Sequence, residues 1–147
     1  MAAHVLFVCT GNICRSPLAE HLARRRWDRD DIVVLSAGTH GQPGLPATST
    51  MVAAGREIGI DLRCHRSRDI TTVAQPDIAF CMEEHQIAAV RARFPAMDPD
   101  RVRLLDSVGI PDPYGMTLDR YRFTALRIQT AVDALDIEGW LQPISDV

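Results

Sequence analysis

The chain alternates short apolar runs with longer amphipathic stretches, the pattern left by strands that feed into helices. His4–Cys9 (HVLFVC) is apolar after its first residue and predicts a buried strand. Ser16 and Pro17 then open a helix to about Arg26, with serine as N-cap and proline at the first helical position. Ile32–Leu35 predicts a second strand, and Met51–Ile58 a second helix that ends at Gly59. Asp77–Met82 predicts a third strand, Glu83–Phe94 a third helix, and Val102–Leu105 a short fourth strand. From Leu118 to Asp136, apolar residues at Leu118, Tyr121, Ala125, Ile128, Val132 and Leu135 fall at helical spacing. The fold class is therefore α/β, a small parallel sheet of about four strands with helices on both faces. Ligands of such sheets bind at the carboxyl ends of the strands. That rule puts the loop after Cys9 and the loop after Leu105 at one functional edge.

Length and composition narrow the chemistry. The 147 residues fit a single domain over 1–147. All 16 basic residues apart from histidine are arginine. Without lysine there is no pyridoxal Schiff base, no Ser-Lys hydrolase and no GxxxxGK[ST] nucleotide loop. Against the arginines stand 19 acidic residues, so the net charge of −3 gives no global attraction to nucleic acid or anionic lipid. The N-terminus lacks the cationic region of a signal peptide, and no apolar stretch approaches the roughly 20 residues that cross a bilayer. The four cysteines, at 9, 14, 64 and 81, form no C-x2-C pair and no credible zinc set. The expected location is cytoplasmic, with reduced thiols.

The first strand runs into Cys9-Thr10-Gly11-Asn12-Ile13-Cys14-Arg15-Ser16-Pro17. A loop that turns tightly into a helix N-terminus gathers backbone N–H groups in one concavity, where the helix dipole adds positive potential. This is a phosphate-binding loop between the first strand and the first helix. Gly11 and Asn12 are residue types that tolerate a left-handed backbone. Arg15 can take two oxygens of a phosphate-like anion on its planar fork. Cys9, at the bottom of the same field, is expected to be a thiolate at neutral pH. A nucleophile and an anion site sharing one loop are what phosphoryl transfer through a phosphocysteine needs. The C-x5-R spacing alone is common in a chain this rich in arginine; the strand, the Gly-Asn and the Ser-Pro around it make it specific. Arg24–Arg26 read as a solvated helix end, and Arg63, Arg66 and Arg68 as candidates for a basic rim.

The segment Val5 to Glu20, VLFVCTGNICRSPLAE, closely resembles the signature of the low-molecular-weight protein tyrosine phosphatase family. The resemblance continues through SAGT (Ser36–Thr39), Gly59–Asp61 with His65–Arg68, and DPYG (Asp112–Gly115), in the family's order over essentially the whole chain. It implies a four-stranded parallel sheet, no metal and no organic cofactor. It implies Cys9 as nucleophile, Arg15 and the amides of Thr10 to Arg15 as phosphate ligands, and Asp112 as general acid and then base. It further implies that Ser16 hydrogen-bonds the Cys9 thiolate and that Asn12, Ser36 and His65 hold the loop in shape. Tyr114 would line the wall for a substrate ring. Asp-Pro-Tyr-Gly is by itself a plain turn sequence; only the family and its place after the fourth strand point to catalysis. The implied partner is a phosphotyrosine-containing protein or peptide, with no nucleic acid and no membrane insertion.

Two departures bear on specificity. Tyr114 is followed by Gly115 where many members have a second aromatic residue, and Thr39–Leu45 holds no aromatic. His40, Gln42 and Leu45 are the candidates for that wall. Two related activities compete. Arsenate reductases of similar fold need two closely spaced resolving cysteines, whereas Cys81 is followed by none. Phosphoarginine phosphatases resemble CTGNTCRS, with threonine at the position of Ile13, and an apolar residue there suits an aromatic ring better than a guanidinium. A redox-sensing phosphate-binding module is a further alternative. Cys14 lies in the same loop as Cys9, so peroxide is expected to join the two reversibly.

Overall fold

In the computed structural model, residues 2–141 are described. Residues 1 and 142–147 of the expected single domain lie outside them. Four strands, β1 (Ala3–Cys9), β2 (Ile32–Gly38), β3 (Ile78–Cys81) and β4 (Val102–Leu104), pair in the order β2-β1-β3-β4, and every pairing is parallel. The helices are α1 (Arg15–Arg26), α2 (Ser49–Glu57), α3 (Glu84–Arg93), α4 (Leu118–Asp133) and the short α5 (Ile137–Leu141).

β1 is central because it is apolar on both faces. Val5, Phe7 and Cys9 pack with Leu18 of α1, Met51 of α2 and Ile128 of α4. The alternate residues, Leu6 and Val8, pack on the other face with Val90 of α3 and Phe94 just after it. The period of two along one strand thus feeds two separate cores, and helices cover both faces as the pattern predicts. All four strands end toward the same edge, where the Cys9 and Leu105 loops lie together.

Some local readings change, and β2 runs on to Gly38 rather than ending at Leu35. Ser16 is not an N-cap: α1 begins at Arg15 after Cys14, and no side chain caps it. Thr48 and Thr117 do cap α2 and α4. The Ser16 hydroxyl is turned inward to the thiol of Cys9, a tertiary contact that overrides the local preference. The last long helix stops at Asp133 rather than Asp136, because Asp136 instead accepts the Gly139 amide in α5. Arg24–Arg26 are exposed in the last turn of α1, as expected, and their guanidinium groups also bind neighbouring elements. Arg24 bonds the Val34 carbonyl and Glu20, Arg25 the Ile58 carbonyl, and Arg26 the Val132 carbonyl, so the run braces α1 against β2, α2 and α4.

Candidate active site

The loop from Cys9 to Arg15 is held by its carbonyl groups. The Cys9 and Thr10 carbonyls accept from the amides of Thr39 and His40, both at 2.9 Å. The Asn12 carbonyl faces His65 Nε2 at 2.7 Å, and the Ile13 carbonyl accepts from Thr48 N at 2.8 Å. In a trans peptide the next N–H points opposite to its carbonyl. Pinning these carbonyls to the framework therefore turns the amides of Thr10, Gly11, Ile13 and Cys14 the other way. Those four residues line a cleft of about 170 Å³ with Cys9, Arg15, Asp112 and Tyr114.

Close packing makes this possible. A Cβ on Gly38, at the end of β2, would lie 2.4 Å from the Thr10 carbonyl oxygen, so only glycine lets the strand approach the loop. Asn12 takes the left-handed backbone, with φ 57°. Gly11 does not; the tolerance expected of it is unused.

Asn12 is fully buried, and each of its polar groups is engaged. Its backbone N–H donates to Cys9 Sγ at 3.3 Å, and its side-chain oxygen accepts from Arg68 N at 3.0 Å. Its Nδ2 donates to Ser16 Oγ at 2.9 Å and to Ser36 Oγ at 2.8 Å. Ser16 Oγ lies 2.9 Å from Cys9 Sγ. Because Ser16 already accepts from Asn12, its own proton is available to the sulfur. Ser36 Oγ donates onward at 2.6 Å to Glu20 Oε1, and Glu20 pairs with Arg24 at 3.0 Å. The chain of bonds runs from the cleft to the protein surface. A carbonyl oxygen only accepts, so His65 carries its proton on Nε2. Burial holds the His65 pKa below its usual value, which keeps the ring neutral.

Arg15 is 1% exposed. Its Nη1 donates to the Glu83 carboxylate and, at 2.7 Å, to the Ile110 carbonyl. Its Nη2 lies 3.6 Å from Asp112 Oδ2. Nε is buried with no hydrogen-bond partner among the described residues. One corner of the guanidinium is thus anchored in protein, while the Nε–Nη2 edge, the one that takes two oxygens at once, is not saturated. Asp112 itself is about half exposed, and its Oδ1 accepts from Tyr114 N at 3.0 Å in the turn anticipated from sequence. Tyr114 is 65% exposed at the rim.

Burial pushes the Cys14 thiol far above its usual pKa, and the negative charges of Cys9 and Asp112 add to the effect. Cys81, buried in β3, is pushed up to about 12 by burial. All four cysteines are free thiols.

His40, Gln42 and Leu45 do not line the cleft, and neither do Arg63, Arg66 and Arg68. Leu45 and Gln42 are instead drawn to Ser67, and Arg63 pairs with Asp61. Ile13 and Tyr114 are the large apolar and aromatic side chains that line the cleft. Three contributors escape a reading of the sequence: Glu20, Glu83 and Gln86. Gln86 is fully buried at the start of α3; it accepts from the amides of Met82 and Glu83 and donates to Thr10 Oγ1 at 3.1 Å. Their only local signal is a polar residue beside an apolar strand or on a buried helix face.

Comparison with known proteins agrees with this arrangement. A family model described as low molecular weight phosphotyrosine protein phosphatase matches residues 4–139. The chain is 34% identical over 138 residues to a probable low molecular weight protein-tyrosine-phosphatase, EpsP, of Ralstonia nicotianae, covering 91% of this chain and 94% of that protein. Among solved structures, Vibrio vulnificus Wzb in complex with benzylphosphonate superposes with a TM-score of 0.82 at 26% identity, covering 91% of this chain and 97% of the other. The YwlE arginine phosphatase of Geobacillus stearothermophilus gives 0.78 at 27% identity, covering 89% and 88%. Both activities are thus represented on this fold, but the family model and the sequence relative agree, and the chain belongs to the low molecular weight phosphotyrosine protein phosphatase family.

Proposed function

We propose that this protein is a cytoplasmic phosphatase, one domain over 1–147, that hydrolyses phosphotyrosine monoesters through a phosphocysteine. The observation that carries this reading is the placement of Cys9 Sγ, the inward amides and the unsaturated edge of Arg15 in one cleft. Cys9 Sγ attacks phosphorus as a thiolate, and the bond to the tyrosyl oxygen breaks. Arg15 takes two non-bridging oxygens, and the loop amides take the charge that builds on them. Asp112, as the acid, gives its proton to the departing phenolate. It then takes a proton from water, whose oxygen attacks the phosphocysteine. The thiolate leaves, and the hydroxyl of Ser16 and the amide of Asn12 receive it. Inorganic phosphate departs, and Asp112 is again protonated.

Ile13 and Tyr114, which both line the cleft, favour an aromatic ring over a guanidinium. Arsenate chemistry would need a second, closely spaced resolving cysteine after Cys81, and no cysteine follows it. The test is kinetic discrimination among phosphotyrosine, phosphoarginine and phosphoserine peptides, with arsenate reduction measured alongside. Phosphotyrosine should be preferred by at least tenfold in kcat/KM; preference for phosphoarginine would transfer the site to that activity.

The same cleft supports a reversible oxidation. Peroxide oxidises the Cys9 thiolate to a sulfenic acid; the Cys14 thiol attacks that sulfur, and water leaves as the disulfide forms. Mass spectrometry of the oxidised protein should find Cys9 joined to Cys14. Cys9 sulfinic acid without that disulfide would exclude the protective role.

A further inference from the structure

Behind the loop that carries Asp112 lies a second cleft, of about 230 Å³. Pro113 and Met116 of that loop form one wall, and Arg120 and Phe123 of α4 form the other. Asp112 lines both this cleft and the catalytic one, so a single residue separates them. A third cleft, of about 510 Å³, continues along α4, sharing Phe123 and Arg127 with the second and adding Leu126. The second and third clefts thus make one groove along α4, which meets the catalytic cleft at Asp112. Met116, Phe123 and Leu126 are each more than half exposed along it, and the hydrolytic steps use none of them. A row of exposed large apolar side chains beside a reaction centre marks a surface that binds something.

The charges on this face say what it binds. Arg127 is committed to Asp106 and the Gly109 carbonyl, and Arg122 to Glu57 and Asp119. Arg120, one helical half-turn before Arg122, has a guanidinium with no partner among the described residues. A second copy of the chain docked here would bring no free carboxylate from this strip, since Asp106, Asp112 and Asp119 each already face an arginine. An acidic peptide would.

We infer that the groove holds the substrate polypeptide beside its phosphotyrosine, with an apolar side chain seated between Met116 and Phe123 and a carboxylate on Arg120. This rests on the phosphotyrosine reading above and adds the substrate class to it: phosphotyrosine flanked within a few residues by an apolar and an acidic residue. The same loop then positions Asp112 for proton transfer and grips the chain that carries the leaving group.

The experiment measures kcat/KM of the full chain on short phosphotyrosyl peptides with a Leu-Asp, Leu-Lys or Gly-Gly pair placed at successive positions on either side. A small aryl phosphate, which reaches only the catalytic cleft, reads the reaction alone. At one placement, Leu-Asp should exceed Gly-Gly by about tenfold, the worth of seating one apolar side chain. Arg120→Glu should reverse the order of Leu-Asp and Leu-Lys while the aryl phosphate changes less than twofold. Phe123→Ser should remove the leucine advantage and leave the aspartate one. Equal rates for all peptides, or no reversal in Arg120→Glu, would overturn the inference while leaving the phosphatase reading intact. Failure to hydrolyse both peptide and aryl phosphate would instead overturn the phosphatase reading. A dimer in sedimentation that Leu126→Ser dissociates would reassign the face to a second copy and overturn the peptide assignment.

Discussion

The loop from Cys9 to Arg15 and the loop from Ile110 to Thr117 face each other across one cleft and are built on opposite principles. In the first, Asn12, Arg15 and Ser16 are at most 1% exposed, and hydrogen bonds tie them to segments as distant in sequence as Arg68 and Ile110. In the second, Tyr114 and Met116 are more than half exposed, and Asp112 is held mainly by a bond to its own turn. A phosphate group is the same in every substrate, so its site gains from being fixed before the substrate arrives. The group that leaves differs among substrates and must exchange protons with water, so its loop stays open. Rigidity is placed where the chemistry is invariant.

The comparison can be broken at several points. Arg15→Lys keeps the charge but loses the fork; kcat/KM is expected to fall roughly 10²–10³-fold, the loss typical of one oxyanion donor. Asp112→Asn should slow phenyl phosphate by roughly 10²–10⁴-fold, yet barely affect an ester whose leaving group needs no proton. An equal loss on both would remove Asp112 from the acid role. Asn12→Ala should unfold the protein more easily, by roughly 2–5 kcal/mol, because it strands buried partners and keeps a left-handed backbone without asparagine; chemical denaturation measures it. A loss below the error of that measurement would mean the loop is not pre-set. Tyr114→Ala, on the open side, should leave stability unchanged and raise KM for aryl phosphates only severalfold, roughly the worth of one aromatic contact.

The smallest effect concerns His65. Its folded pKa lies below the usual histidine value of 6.5, so below that pH the unfolded chain takes up a proton that the folded chain resists. Stability is complete above the unfolded pKa and is lost as the pH falls toward the folded one. His65→Gln should flatten that part of the stability profile, and an unchanged profile would assign the acid sensitivity elsewhere.

What could be read from the sequence follows the range of the contacts involved. The strand-loop-helix frame of Cys9 and Arg15 is set by neighbours in the chain, and so is the Asp112 turn. The brace on Arg15 is not: Glu83 is 68 residues away, and Gln86 reaches Thr10 across 76. Local preference also misassigned Ser16, because a serine before proline resembles a helix cap whether its hydroxyl faces the helix or a buried thiol. Arg24–Arg26 are exposed at the end of α1, as their sequence position suggests, but their bonding partners are not legible there. Carbonyl groups at distant strand and helix ends, invisible in the sequence, are what Arg25 and Arg26 bind.

The central claim is that Cys9 carries the phosphoryl group between the two half-reactions. Acid quenching of the enzyme during turnover of an aryl phosphate, followed by mapping of the phosphorylated peptide, tests it most directly. The account predicts a covalent phosphate on Cys9 that approaches one per chain in Asp112→Ala with a good leaving group, and none in Cys9→Ser. Turnover that persists in Cys9→Ser, or phosphate bound covalently to another residue, would contradict it.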